Sequence, residues 1–142
     1  MVLRIITILF PIILFGQEAN MICGTWLEEK KQSHIEIYQT EDNTYEGKIV
    51  WLAEPLNEKG EIKLDKENPD KSLRQRTIQN LIIIEQLEFT EKNQWSNGSI
   101  YDARSGKTYS LNAKLEGQET LFMRGYLGFS LIGKTTRWTR IK

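Results

Sequence analysis

Residues that commonly carry chemistry are scarce in this sequence. It has one cysteine, Cys23, and one histidine, His34, among 142 residues. A single cysteine excludes a disulfide within the chain, and a Cys/His zinc site, which needs about four ligands, has only these two candidates. We therefore expect neither a bound metal nor a cofactor.

An excess of charge of either sign is also absent. Lysine plus arginine and aspartate plus glutamate each number 19, so the net charge is near zero. Binding to nucleic acid needs a concentrated positive field, and this balance predicts that nucleic acid is not the partner. The length suits one domain with a single core.

Long hydrophobic runs are missing except near the amino terminus. Residues 5–15 are almost entirely apolar, broken only by Pro11, and follow Arg4, the one charged side chain before Glu18. As a helix, this run spans roughly 16 Å, about half of the hydrocarbon core of a bilayer. A short apolar run behind one positive charge is typical of a secretory signal peptide, with a retained membrane anchor as the alternative.

This leader divides the chain into two predicted parts. We assign residues 1–19 to the signal peptide, cleaved between Gly16 and Asn20, and residues 20–142 to the mature domain. The two residues before Cys23 are large and apolar, whereas a lipoprotein signal carries a small residue there, so we expect no lipidation. We expect a periplasmic or secreted protein with no integral membrane span after cleavage.

Short segments of alternating apolar and polar residues, separated by turn residues, follow residue 20. Connections of about two to five residues join antiparallel neighbours, and a meander of about eight strands can close on itself. We predict an all-β fold, an antiparallel up-and-down β-barrel whose interior holds side chains or one small ligand, with a sandwich as the alternative. The predicted strands are residues 24–29, 33–39, 45–52, 81–89, 94–103, 107–115, 121–127 and 131–141.

Alternation and turn residues also predict details within these strands. In residues 45–52, Trp51 shares a face with Ile49, because side chains on one face recur every second residue. Asn97 and Gly98 form a dipeptide that is typical of a hairpin turn. The sequence therefore predicts Trp51 on the same side as Ile49 and a tight turn at residues 97–98.

A long polar stretch, residues 53–80, interrupts the strands. Loops of this length in compact domains are often functional, and we leave open whether it is a lid or binding loop or a plain crossover. Oxygen atoms cluster here on Asp65, Glu67, Asn68 and Asp70, but a proline lies among them and a glycine is missing, which favours an Asx turn over a calcium loop. Asp70 is also suited to cap a short helix that carries Leu73 and Ile78.

The two ends of the mature chain carry residues suited to packing. Gly24 lets the backbone approach closely on the first strand, and Trp26 is placed to close one end of the barrel. In a closed meander the first and last strands are neighbours, so Arg140 can lie across the Trp26 ring in a cation–π contact. We assign these three residues a structural role.

The order of short motifs along the mature chain resembles one family. Glycine-x-tryptophan on the first strand with an arginine on the last is similar to the lipocalin signature. The motifs are Gly24-Thr25-Trp26, Ile35-Glu36-Ile37-Tyr38, Tyr45-Glu46-Gly47-Lys48-Ile49-Val50-Trp51, Asp65 with Asn68-Pro69, Leu73-Arg74, Ile100-Tyr101-Asp102, Ser105-Gly106-Lys107-Thr108-Tyr109, Leu121 with Arg124-Gly125-Tyr126-Leu127-Gly128, and Trp138-Thr139-Arg140. Together they resemble domain of unknown function 2147, a family of small exported bacterial proteins. The resemblance implies a lipocalin-like (calycin) barrel and no assigned activity.

One arginine is the main candidate for ligand recognition. Arg124 lies opposite in phase to Met123, and an arginine that points into the barrel or its mouth can hold an anionic head group such as a carboxylate, with Tyr126 to assist. In the alternative interpretation both residues face solvent, or Arg124 pairs with Glu36 or Asp102. The other ligand-binding candidates are Trp51, Tyr109, Asp65, Asn68 and Arg74.

Patterns typical of catalysis are missing as well. No serine has a G-x-S-x-G setting and no paired carboxylates stand out, so we predict a protein that is not an enzyme, with a hydrolase on an envelope substrate as a minor alternative. We interpret the chain as an exported binding protein that holds a small hydrophobic or amphipathic ligand, such as a fatty acid or lipid, inside the barrel. The competing hypothesis is an envelope structural or interaction protein with a filled barrel.

Overall fold

The computed structural model describes residues 12–128 and 133–142, with side chains described from residue 16. Residues 1–11, which contain most of the predicted signal peptide, lie outside the described residues, and so do residues 131–132 of the predicted last strand. The described chain begins with helix α1 (Ile12–Ala19) and a 3-10 turn (Asn20–Ile22). Within these ranges, no helix combines the length and the apolar character that crossing a membrane requires.

In the described part of the chain, eight antiparallel strands form a closed barrel in which each strand pairs with its neighbours along the chain and β1 pairs with β8. This architecture confirms the predicted up-and-down barrel and excludes the sandwich. The order follows from the connections, because short connections reach only the adjacent antiparallel strand. The strands are β1 (Gly24–Leu27), β2 (Ser33–Gln39), β3 (Tyr45–Leu52), β4 (Ile82–Glu91), β5 (Gln94–Asp102), β6 (Lys107–Glu116), β7 (Thr120–Tyr126) and β8 (Gly133–Arg140).

Left-handed residues mark three tight connections at one end of the barrel. Asn43 (φ 60°) lies between β2 and β3, Asn93 (φ 63°) between β4 and β5, and Gly117 (φ 62°) between β6 and β7. Asparagine and glycine adopt this conformation more readily than other residues, which fits them to short hairpins. We call this end of the barrel the floor and the opposite end the mouth.

The predicted hairpin at Asn97 and Gly98 is wrong, because both residues lie inside β5. The pairing of β5 with β6 shifts between Trp95 and Gly98, and Asn97 has a φ of 63°, so the dipeptide forms a β-bulge. A Cβ on Gly98 would lie 3.0 Å from the Cα of Leu87 on the adjacent strand. The glycine therefore permits close packing of two strands, and the turn lies at Asn93.

A second bulge places Trp51 on the opposite face from the one predicted. The β2–β3 register pairs His34 with Trp51 and Ile35 with Ile49, so Val50 is an extra residue. Trp51 lies on the outer surface and is 41% exposed, with its ring centre 4.2 Å from that of His34. Trp51 and Ile49 therefore do not share the inner face.

Large side chains fill the floor half of the barrel. Trp26 and Trp95 are fully buried there, and Tyr45 is nearly so. The guanidinium of Arg140 lies 4.2 Å from the centre of the Trp26 ring, which confirms the predicted cation–π contact. Gly24 must lack a side chain at this point, because a Cβ there would overlap the Arg140 guanidinium.

Arg140 also ties three backbone segments together. Its Nη2 and Nη1 atoms donate hydrogen bonds to the carbonyl oxygens of Met21 and Cys23 at 2.6 and 2.7 Å. Its Nε donates to the carbonyl oxygen of Gln118 at 2.6 Å. One side chain thus joins the segment before β1, the β6–β7 connection and the last strand.

Replacing Arg140 by lysine should destabilise the barrel. Lysine keeps the charge but loses the planar fork that meets these carbonyl oxygens and stacks on Trp26. We expect the free energy of unfolding in urea to fall by about 2–3 kcal/mol. Arg137→Lys, at an exposed position of the same strand, is the matched control and should change it by less than about 0.5 kcal/mol. Equal small effects for both variants would contradict the role assigned to Arg140.

Candidate binding site

The mouth half of the barrel encloses a cavity of about 1300 Å³. Its walls come from inward-facing residues of β2 to β8, and most of them are branched aliphatic or aromatic. They include Ile35, Ile49, Ile83, Ile100, Leu111, Met123 and Trp138. Walls of this kind favour the apolar part of a ligand through the hydrophobic effect.

A few positions differ in polarity or size from the large apolar residues that form most of the wall. Tyr109 and Thr136 add hydroxyl groups to the wall. Gly125 lies beside them, and a Cβ there would make an ordinary contact with Tyr109 at 3.5 Å. The missing side chain at Gly125 therefore adds space to the cavity next to the Tyr109 ring.

Charged residues surround the mouth in balanced numbers. Two close pairs are Lys63 with Glu54 at 3.8 Å and Arg104 with Asp102 at 3.4 Å. The balance leaves the mouth polar without a strong field of one sign. The acidic residues are Glu28, Glu29, Glu54, Glu67 and Asp102, and the basic residues are Lys30, Lys63, Lys66, Arg104 and Lys134.

A buried carboxylate anchors the long loop between β3 and β4. Asp65 is fully buried, and its Oδ1 accepts a hydrogen bond from the Tyr101 hydroxyl at 2.6 Å. Its Oδ2 accepts hydrogen bonds from Asn68 Nδ2 at 2.9 Å and Arg76 Nη2 at 3.0 Å. A buried carboxylate needs such donors to offset its lost hydration, so these contacts hold the loop against β5.

Further contacts stiffen the same loop. Arg74 Nε donates a hydrogen bond to the carbonyl oxygen of Asn68 at 2.7 Å. Asp70 caps the 3-10 turn Lys71–Leu73 by accepting a hydrogen bond from the backbone N–H of Ser72 at 2.9 Å, which confirms the predicted cap. The predicted extent of the helix is wrong, because Ile78 lies beyond this single turn. Hydrogen bonds from the Ser72 hydroxyl and amide lower the pKa of the Asp70 carboxyl.

The predicted ligand-binding residues are distributed over three places. Tyr109 lines the cavity, and Tyr126 lies at its mouth. Asp65, Asn68 and Arg74 contact one another or their neighbours within the loop. These three residues shape the loop that borders the cavity, and Asp65 has no exposed surface to offer a ligand.

Arg124 and Trp51 lie on the outer face of the barrel. Arg124 lies between Met123 and Gly125, both of which line the cavity, so alternation along β7 directs it outward, as in the alternative interpretation. The Trp51 ring contacts the His34 ring outside the barrel. The structure therefore does not bring these two residues together with Tyr109.

Several wall residues were not predicted from the sequence. Thr136 shares the inner face of β8 with Trp138, and alternation back from Trp138 would have found it. Ile83 and Ile84 are both buried although they are adjacent, because the β3–β4 register shifts twice. Sequence periodicity carries no signal for such a position.

The acidic and basic groups lie at the mouth, and the inner walls offer the hydroxyls of Tyr109 and Thr136. Over the part of the chain that the structure describes, no group of three or more histidine, cysteine, aspartate or glutamate side chains is placed to hold a metal ion. An apolar group in the cavity with a polar group at the mouth matches this arrangement.

Comparison with known proteins identifies the family. A family model described as an uncharacterized protein conserved in bacteria (DUF2147) matches residues 24–140, which include all eight strands. The chain belongs to this family. The match confirms the resemblance seen in the sequence motifs of this DUF2147 chain.

One solved structure has the same fold as this DUF2147 chain. Protein HP1028 from the human pathogen Helicobacter pylori, described as belonging to the lipocalin family, is similar with a TM-score of 0.72 and 22% identity. The similarity covers 85% of this chain and 83% of that chain. A search of curated proteins gave no match. At this identity the comparison shows the fold alone, a lipocalin-like barrel.

Replacing Tyr101 by phenylalanine should loosen the long loop. The change removes one donor from the buried Asp65 carboxylate, and we expect the free energy of unfolding to fall by about 1–3 kcal/mol. Amide hydrogens of residues 63–78 should exchange faster with deuterium. Tyr38→Phe, on the outer face of β2, is the matched control. Loop exchange that is the same in all three proteins would contradict the anchoring role.

The fold should weaken as the pH rises above 10. Burial raises the pKa of Tyr45 from its ordinary value of 10.0 to about 12. Burial and the hydrogen-bonded Asp65 carboxylate together raise the pKa of Tyr101 from 10.0 to about 12. Because the unfolded chain loses these protons first, the free energy of unfolding falls between about pH 10 and 12 and is unaffected by these groups below that range. Urea unfolding of the unmodified protein and of Tyr101→Phe across this pH range measures the effect. The free energy of unfolding should fall less steeply with pH in Tyr101→Phe. Equal slopes for both proteins would count against it.

Proposed function

We propose that this DUF2147 chain is an exported, non-catalytic binding protein that holds a small hydrophobic or amphipathic ligand, such as a fatty acid or another lipid, in its barrel. The observation that carries the proposal is the cavity of about 1300 Å³ with mostly apolar walls. Ligand sites in proteins begin at about 300 Å³, so the space is sufficient. Each methylene group that leaves water for the cavity contributes about 0.8 kcal/mol to binding.

The polar end of the ligand would lie at the mouth of the barrel. Lys30, Lys66 and Lys134 carry positive charge there. A carboxylate or phosphate head group forms charge-assisted hydrogen bonds with such donors. These lysines replace Arg124 as the proposed partners of an anionic head group, because Arg124 lies on the outer face.

Export to the periplasm or to the outside of the cell is part of the same proposal. It rests on the apolar run of residues 5–15 behind Arg4, which is typical of a cleaved leader. Outside the cytoplasm, a lipid still needs shelter from water between membranes. A barrel with an apolar interior supplies that shelter through the hydrophobic effect.

Docking to another envelope component is a second candidate function. Trp51 on the outer wall is 41% exposed, and Leu56 and Ile62 on the long loop are 49% and 60% exposed. Exposed apolar side chains of this size often mark interaction surfaces. All three residues lie outside the cavity walls, so docking and ligand binding are compatible.

The exported full chain, purified without detergent, should carry its ligand. Denaturation in organic solvent followed by mass spectrometry of the extract should release about one fatty acid or lipid per chain, since an apolar ligand leaves such a cavity slowly. An empty extract, combined with no thermal shift in the presence of a panel of fatty acids and lipids, would contradict the proposal.

A cavity-filling variant tests where the ligand lies. Gly125→Leu puts a side chain into the cavity beside Tyr109, and we expect the affinity for a fluorescent fatty acid to fall at least about tenfold. Thr135→Leu, at an exposed position of β8, is the matched control and should bind like the unmodified protein. Thermal unfolding of both variants verifies that they fold. Unchanged affinity in a folded Gly125→Leu variant would place the ligand elsewhere.

A further inference from the structure

The residues just before β1 form part of the barrel floor. The carbonyl oxygen of Ala19 accepts a hydrogen bond from Trp95 Nε1 at 3.1 Å. The side-chain oxygen of Asn20 accepts one from the Tyr45 hydroxyl at 2.6 Å. Trp95 and Tyr45 are 0% and 1% exposed, so the segment supplies acceptors to polar atoms of the core. We call residues 19–23 the floor segment.

The rest of the floor segment is held in the same way. Ile22 is fully buried, and its carbonyl oxygen accepts a hydrogen bond from Trp26 Nε1 at 2.9 Å. The carbonyl oxygens of Met21 and Cys23 accept hydrogen bonds from Arg140. Each residue of the floor segment therefore accepts a hydrogen bond from a side chain of the barrel. The segment closes the end of the barrel opposite to the cavity.

We propose that the leader is removed on the amino-terminal side of Ala19, at the bond between Gly16 and Gln17, and that the floor segment stays in the mature protein as a structural part of the barrel. The inference rests on the export part of the proposed function and is independent of the ligand. It moves the start of the mature domain upstream of the predicted residue 20.

Cleavage further along the chain would remove acceptors from buried donors. A cut between Ala19 and Asn20 would remove Ala19 together with the leader. The indole N–H of Trp95 would then lose its hydrogen-bond acceptor. Lipid attachment to Cys23 as the first residue would remove Ile22 from the core together with the acceptor of Trp26. An unpaired hydrogen-bond donor in the core is unfavourable. Cleavage before Asn20 or before Cys23 is therefore incompatible with the hydrogen bonds of the floor segment.

The residues upstream of the floor segment fit a processing site. Gly16 and Gln17 are exposed, and a Cβ on Gly16 would meet nothing within 4 Å. Leader cleavage requires a small residue before the cut bond, and Gly16 and Ala19 both satisfy this requirement. The sequence does not choose between them, whereas the contacts of Ala19 with the core favour a cut after Gly16.

The test is the amino terminus of the full chain exported under its own leader in a bacterial host. Intact mass and amino-terminal sequencing should give a chain that begins at Gln17. A start at Glu18 or Ala19 would support retention of the floor segment and contradict the assigned cut bond. Iodoacetamide should modify Cys23 in the denatured protein, since its thiol is free. A start at Asn20 or later, an acylated Cys23, or a retained Met1 would overturn the inference.

A second measurement tests the floor without reference to the cut bond. In the exported protein, Tyr45→Phe removes the hydrogen bond to Asn20, and we expect the melting temperature to fall by about 3–5 °C. Tyr38→Phe on the outer face of β2 is the control, with a shift below about 1 °C. Equal melting temperatures would overturn the structural role of the segment. Ligand content should stay unchanged in both variants, which separates this outcome from a failure of ligand binding.

Discussion

Closure of the barrel depends on a short seam between β1 and β8. Their register joins Trp26 with Arg140 and Leu27 with Thr139, whereas every other pair of neighbouring strands is joined over a longer stretch. Arg140 strengthens the seam because its guanidinium stacks on Trp26 and binds backbone carbonyls on both sides of it. Without closure the sheet would have two open edges, and the cavity would lose a wall.

The positions of the largest side chains decide which half of the closed barrel is hollow. Trp26, Trp95 and Tyr45 are buried in the floor half and occupy its interior with large side chains. Towards the mouth the inner face carries smaller groups such as Gly125 and Thr136, and a cavity remains. A fully filled barrel would need further bulky residues inside the mouth half, and the bulge at residue 50 removes Trp51 from that role.

Alternation along the chain was sufficient to predict eight strands, their antiparallel order and closure, because short connections leave few other arrangements. It failed where a bulge adds one residue, as before Trp51 and at Asn97, since each bulge reverses the faces that follow it. The candidate site was less predictable. The contact between Asp65 and Tyr101 joins residues that are far apart in the sequence, and no local pattern reports such a pair.

The anchored loop links the stability of the barrel to access to the cavity. Leu64 and Ile78, close to Asp65 in the loop, are part of the cavity lining, so the loop is a section of the wall that a ligand would touch. A ligand in contact with these residues binds the anchored state better than a state with the loop released, and it therefore stabilises the anchor by mass action. By the same linkage, weakening the bond between Tyr101 and Asp65 must weaken binding of any ligand that needs this wall.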